Sequence, residues 1–183
     1  MYEEIIRKLK QAGVSFAEGL SVDEIRSIEG FYEIHFPREL ILFYQEALPV
    51  SEGFYDWKNF SEANVKMIRE RIRRPKRDLL DEDEMKDMEW KEVWGEEPTS
   101  QAEKEALLMR KINNAPTLVP VFKHRYIANQ YKEDNPVLSI YGSDMIYYGE
   151  NLSQYLLIEF GLKGQDDIDY KTIQSVDFWS DFI

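Results

Sequence analysis

The chain has 183 residues, of which 43% are hydrophobic and 14% aromatic, a composition typical of one globular domain with a buried core. It contains no cysteine, which excludes disulfides, thiolate metal sites and a cysteine nucleophile. The 23 basic and 35 acidic residues give a formal net charge of −12. We therefore expect a surface that repels nucleic-acid backbones and attracts a basic protein.

The N-terminal region lacks the apolar segment of a signal peptide. The longest apolar runs, such as LILFY at 40–44, are too short to span a bilayer. We expect a cytoplasmic protein that does not bind membranes.

Three short helices are predicted near the N-terminus. The first covers residues 2–11 and ends before Gly13. Ser21 and Glu24 form an S-x-x-E capping box at the start of the second. Pro37 suits the first turn of the third.

A charged segment follows. Residues 66–77 hold seven basic residues and one acid, whereas residues 78–97 hold ten acids and two lysines. We expect Pro75 to separate a helix that begins near residue 61 from a second helix or excursion, and another helix to cover 101–112. The region 61–113 is thus predicted to be a peripheral helical excursion.

Strands are predicted from β-branched and aromatic runs. A short one is GFYDW at 53–57, and others lie at 118–122 and 126–130. The stretch NPVLSIYGSDMIYYGENL (135–152) predicts a hairpin with a Gly-Ser turn, then a helix capped by Asn151.

Helices followed by strands indicate the α+β class. We expect one domain over residues 1–183, in which an antiparallel sheet of about four to six strands has the N-terminal helices and a later helix packed on one face. The apolar residues of the tail VDFWSDFI (176–183) are expected to dock on the core.

Several segments resemble, in chain order, the SUKH superfamily of bacterial immunity proteins and fungal regulators of cell-wall and glucan synthesis. They are LSVDEIRSIEGFYEIHFPRELILFYQEA, FYDW, LVPVFKHRYIA and NPVLSIYGSDMIYYGENLSQYLLIEF. The resemblance covers about two-thirds of the chain. The charged segment has no counterpart, and LPVSEG stands where the family often has Asn-Gly.

The resemblance implies a non-enzymatic protein that neutralises a toxin, often a nuclease, by binding it without a cofactor. The alternative is an intracellular scaffold or regulator without a toxin partner. The residues themselves suggest partner contacts, with aromatic side chains as anchors and acids that steer a basic toxin domain. The nine candidates are Tyr55, Asp56, Trp57, His124, Tyr126, Tyr131, Asp134, Asp144 and Tyr148.

Several candidates have a structural alternative. Trp57 fits core packing, and His124 fits a surface or hydrogen-bonding role better than catalysis. Asp144 fits a turn residue that accepts backbone N–H bonds. If the Ile146 side of its strand is buried, Asp144 needs Arg125 or His124 as a partner.

The acidic run 78–97 fits either a solvated helix face or a mimic of nucleic-acid charge. Within it, Trp90 and Trp94 are spaced to form one ridge, which either docks on the core or meets a partner. The basic run before it is expected to pair with these acids. An enzyme that holds Mg²⁺ through Asp134 and Asp144 is a weaker rival, because no metal motif is present.

Overall fold

The computed structural model describes residues 2–131 and 133–183. The helices are α1 (Glu3–Gln11), α2 (Val22–Tyr32), α3 (Arg38–Glu46), α4 (Glu62–Leu79), α5 (Glu82–Asp87), α6 (Gln101–Asn114) and α7 (Leu152–Glu159). The strands are β1 (Phe16–Ala17), β2 (Leu48–Pro49), β3 (Leu118–Phe122), β4 (Arg125–Ala128), β5 (Val137–Tyr141) and β6 (Asp144–Gly149). Short 3-10 turns cover Glu92–Trp94, Gln165–Asp167 and Trp179–Phe182. The predicted α+β class is confirmed.

Strands β3 to β6 form an antiparallel meander in which each strand pairs with the next one along the chain. Strands β1 and β2 pair separately. The predicted turn joins β5 to β6, and its Gly142 has a positive φ of 61°, a conformation that glycine adopts without strain. The main sheet thus has four strands, as expected.

The strand predicted at 53–57 does not form. Phe54 makes only isolated bridges, to Glu52 and Phe122. The physical reason lies in the turn before it, where Gly53 has a φ of 100° and the Phe54 N–H bonds back to the Ser51 carbonyl. This turn bends the backbone away from the extended path that a strand requires.

Local signals set the helix starts correctly. The Glu24 N–H donates to Ser21 Oγ at 3.2 Å and the Ser21 N–H donates to Glu24 Oε2 at 2.7 Å, which completes the predicted capping box. The Gln154 N–H donates to Asn151 Oδ1 at 3.0 Å, so Asn151 caps α7. Pro37 lies at the N-cap of α3, one position earlier than predicted.

Helix α4 continues through Pro75 to Leu79, so the expected separation at Pro75 is wrong. Proline costs a helix one hydrogen bond. Here Pro75 is itself buried, as are Ile68 and Leu79 on the same helix, and burial of this apolar stripe offsets that loss.

Both faces of the main sheet are covered, which corrects the expectation of helices on one face. The first core packs α1, α2, α3 and α7 against one set of alternating strand residues, Val119, Val121, Ile127 and Val137. The second core packs the C-terminal end of α4, together with α5 and α6, against the other set, Leu118, Tyr126, Ala128, Leu138, Ile140 and Met145. Ile68, in the first half of α4, belongs to the first core. Because both sets of strand residues are apolar, each face requires a cover.

The charged segment is therefore part of the fold and not a peripheral excursion. Leu79, Leu108 and Ile112 from its helices are fully buried in the second core. Most of its acids and bases are exposed to solvent, whereas others, such as Arg74, Lys76 and Asp78, are half-buried.

The C-terminal tail docks on the second core, as predicted. Val176 and Trp179 are fully buried, and the Trp179 indole N–H donates to the Pro116 carbonyl at 2.9 Å. Trp94 stacks on Phe178 and donates to Asp181 Oδ2 at 2.6 Å. The sequence left two roles open for the Trp90–Trp94 ridge, and the structure shows docking, because both rings pack against the second core.

Candidate functional site

Three of the nine predicted contact residues belong to the cores. Tyr55, Trp57 and Tyr126 are 4%, 0% and 1% exposed, so their rings cannot anchor a partner in this conformation. The prediction of surface roles for these residues is corrected, while core packing of Trp57 is confirmed. Strand alternation shows which residues share a face of the sheet, but not which face the helices cover. In this protein the helices cover both faces.

The buried aromatic groups are tied into the fold by their polar atoms. The Trp57 indole N–H donates to the Tyr44 hydroxyl at 3.2 Å. The Tyr55 hydroxyl donates to the Lys123 carbonyl, and burial raises the pKa of Tyr55. Between them, Asp56 is exposed, and its carbonyl accepts a hydrogen bond from Asn64.

Tyr131 and Asp134 lie in the loop between β4 and β5. Asn135, which is fully buried, organises this loop: its side-chain oxygen accepts the N–H groups of Gln130 and Tyr131, and its Nδ2 donates to Glu39. Sequence reasoning missed Asn135, although the Asn-Pro pair marks a turn. The loop is anchored to α3 through Glu39 and presents the exposed Asp134 to solvent.

His124 and Tyr148 meet around Arg125. The guanidinium carbon of Arg125 lies 3.9 Å from the Tyr148 ring centroid, and its Nη1 contacts His124 Nε2 and donates to Ser139 Oγ at 3.0 Å. Arg125 Nε lies 3.2 Å from Glu159 Oε2, and both side chains are nearly buried. This ion pair ties β4 to α7.

The same packing shifts two titrations. Burial lowers the pKa of His124, and the nearby Arg125, Arg74, Arg71 and Lys123 lower it further. Burial raises the pKa of Glu159, although Arg125 opposes this shift. At neutral pH His124 is therefore neutral and can accept the Arg125 N–H.

Asp144 begins β6 and is exposed, as is Ile146. Among the residues that the structure describes, none donates a hydrogen bond to its carboxylate, so the expected turn-acceptor role is wrong. The buried neighbour is Met145 instead. Asp144 therefore does not need the partner that a buried position would require, and Arg125 pairs with Glu159.

Three acidic side chains lie beside the β5–β6 turn. Glu84, Asp87 and Glu89 line a groove of about 240 Å³ with Ser143, and Asp144 comes next in the chain. We call Glu84, Asp87, Glu89 and Asp144 the acidic corner. Lys91, 3.6 Å from Glu89, is a cation in the same groove.

The expected pairing of the basic run with its acidic neighbour is found in part. Arg74 and Arg77 both pair with Asp78, at 3.0 and 2.7 Å. Lys76 instead donates to the carbonyls of Asn113 and Ala115 at the end of α6. The two arginine pairs therefore lie within α4 itself, whereas Lys76 joins α4 to the end of α6.

The two aspartates of the metal hypothesis lie apart, because Asp134 precedes β5 and Asp144 follows it. Across residues 2–131 and 133–183, no group of three or more histidine, aspartate or glutamate side chains is placed to hold a metal ion. No helix in this part of the chain has the length and apolarity to cross a membrane.

The nine candidates thus do not form one surface: three are buried, two surround Arg125, two lie in the β4–β5 loop, and Asp56 and Asp144 are separately exposed. Comparisons with protein-family models, curated proteins and solved structures find no match to this chain.

Proposed function

We propose that this protein is a non-enzymatic binding protein of the SUKH type, an immunity protein that works in the cytoplasm and neutralises a basic toxin domain by direct contact. The proposal rests mainly on one observation, the ordered series of segments that resembles that superfamily. The first and last of these segments form the elements that the sequence predicts: the helix capped by Ser21, the helix led by Pro37, and the β5–β6 hairpin followed by the Asn151-capped helix. The FYDW segment does not form the predicted strand.

The surface chemistry supports a basic partner. The net charge of −12 gives long-range attraction. The acidic corner places the exposed carboxylates of Asp87, Glu89 and Asp144 and the half-buried Glu84 near the hairpin turn. A toxin whose active cleft carries lysine and arginine would be steered to this region and covered by it. Steering acts mainly on the association rate, and added salt weakens it.

The experiment uses a candidate toxin domain encoded beside the gene for this protein. Co-expression should restore the growth of cells that produce the toxin, and the purified pair should associate more slowly as salt rises from about 50 mM to about 500 mM. Asp87→Asn and Asp144→Asn should each slow association at low salt. Asp166→Asn, which removes an exposed charge in the turn Gln165–Asp167, is the matched control.

Two results would count against the proposal. Protection without measurable binding would refute neutralisation by contact, and equal slowing by Asp166→Asn would remove the acidic corner from the interface. Binding to a protein of the same cell with no protection from the toxin would favour the scaffold alternative.

A further inference from the structure

A cleft of about 370 Å³ opens between α4, the segment 53–55, the β3–β4 turn and the end of β5. Its basic lining residues are Arg71, Arg74, Lys123 and His124, and none of its described lining residues is acidic. We call it the basic cleft. Such a concentration of positive charge is unexpected on a chain of net charge −12.

Much of this charge is not neutralised within the fold. Arg74 shares Asp78 with Arg77, but within residues 2–131 and 133–183 no carboxylate forms an ion pair with Arg71 or Lys123. The pKa of His124 is lowered by burial and also by the positive charges of Arg71, Arg74, Lys123 and Arg125. This shift agrees with a concentration of positive charge in the basic cleft.

The β3–β4 turn that carries two of these groups is held rigidly. Lys123 has a positive φ of 49°, which is uncommon for a residue with a side chain. Its N–H donates to the Gly53 carbonyl at 2.8 Å, and its carbonyl accepts the hydroxyl of the buried Tyr55. Both backbone polar groups are therefore fixed, which keeps the position of the turn constant before any ligand binds.

An aromatic wall completes the basic cleft. Tyr141 is 67% exposed, and its ring centroid lies 5.4 Å from the Arg74 guanidinium carbon. Phe54 and Met67 provide further apolar surface. The volume lies at the lower end of the range for small-molecule sites, about 300–1,000 Å³, and an exposed tyrosine face suits a planar group.

We propose that the basic cleft binds a small phosphomonoester whose phosphate contacts Arg71 and Lys123 and whose planar group stacks on Tyr141. Arg71 and Lys123 have no carboxylate within ion-pair distance in the described part of the chain. Together with Arg74 they match a phosphate dianion better than a single carboxylate. The acidic surface elsewhere repels a long polyanion, which favours a small ligand over nucleic acid. This inference goes beyond the proposed function and does not depend on it.

Calorimetric titration of the full chain with phenyl phosphate and with inorganic phosphate tests the proposal. Arg71→Gln and Lys123→Gln should each weaken phenyl phosphate at least about tenfold. Arg73→Gln, an equal change of charge at an exposed position on the same helix, should leave binding unchanged. Tyr141→Ala should weaken phenyl phosphate but not inorganic phosphate. Thermal melts check that each variant is folded.

No heat of binding for phenyl phosphate up to about 10 mM would overturn the proposal. So would equal weakening by Arg73→Gln, which would indicate general attraction by the helix and not a built site. Tighter binding of a single-stranded oligothymidylate than of phenyl phosphate would replace the small ligand with nucleic acid.

Discussion

At the residue scale, Trp57 shows how an aromatic residue proposed as a surface anchor can instead hold the core together. It is fully buried, and its ring makes edge contacts with Phe36 and Tyr32 at centroid distances of 5.0 and 5.6 Å. Trp57→Ala should lower the free energy of unfolding by about 3–5 kcal/mol, because it removes this packing and leaves a cavity. Urea denaturation measures this loss.

Tyr141→Ala is the control for that measurement, since it removes an aromatic ring that is mostly exposed. Its effect on stability should stay within about 0.5 kcal/mol. Similar losses in the two variants would contradict the assignment of Trp57 to the core.

A second prediction at this scale concerns Glu159. Burial raises its pKa in the folded protein, so the folded chain holds this proton at pH values where the unfolded chain, with an ordinary glutamate, has released it. The stability that this proton contributes is present below the unfolded pKa and is lost as the pH rises through the folded pKa. The stability of the wild type relative to Glu159→Gln should therefore fall as the pH rises above the ordinary glutamate pKa of 4.5.

Urea denaturation of both proteins at a series of pH values measures the difference between their free energies of unfolding. Contributions from groups that titrate alike in the two proteins cancel in this difference. The charged or titratable groups that act on Glu159 are Arg125, Lys123 and Tyr155. A difference that grows with pH would show that attraction to Arg125 outweighs the cost of burial.

At the element scale, the start of α2 is stabilised by side-chain capping, whereas the start of α4 is not. Ser21 accepts the Glu24 N–H, but Ser61, at the N-cap of α4, makes no side-chain capping bond. Ser21→Ala should lower the free energy of unfolding by about 1 kcal/mol. The matched change Ser61→Ala should have a much smaller effect, and equal losses would contradict the role of the cap.

At the scale of the whole molecule, local chemistry made most elements predictable. Ser21 and Asn151 identify two helix starts through their own side chains, and Gly142 identifies the hairpin turn. These signals depend on neighbours in sequence, which is why they can be read without the fold.

Local sequence signals could not predict which faces of the sheet are covered by helices. Helix α4 continues through Pro75 because packing of distant residues outweighs a local penalty, and Tyr126 is buried because α4, α5 and α6 cover the second face of the sheet. The Arg125–Glu159 pair joins residues 34 positions apart (159 − 125), and the basic cleft combines α4 with the β3–β4 turn. Sequence spacing does not encode such contacts.

The sheet is the shared wall of two cores, and this arrangement predicts one cooperative unfolding transition. Strands β4 and β5 lie in the middle of the sheet, with partner strands on both sides. Their amide hydrogens should exchange most slowly, at rates set by global unfolding. Hydrogen-exchange mass spectrometry can check this, and faster exchange in β4 than in α1 would show that the two cores open separately.

The β5–β6 turn brings a positively charged region, the basic cleft, close to a negatively charged one, the acidic corner. Tyr141 borders the basic cleft and Asp144 belongs to the acidic corner, and three residues of chain span at most about 11 Å. This length is close to the screening distance of about 8–10 Å at physiological salt. An anion bound beside Tyr141 would therefore make the electrostatic potential around Asp144 more negative. Binding of that anion in the basic cleft would then strengthen the attraction of the acidic corner for a positively charged partner.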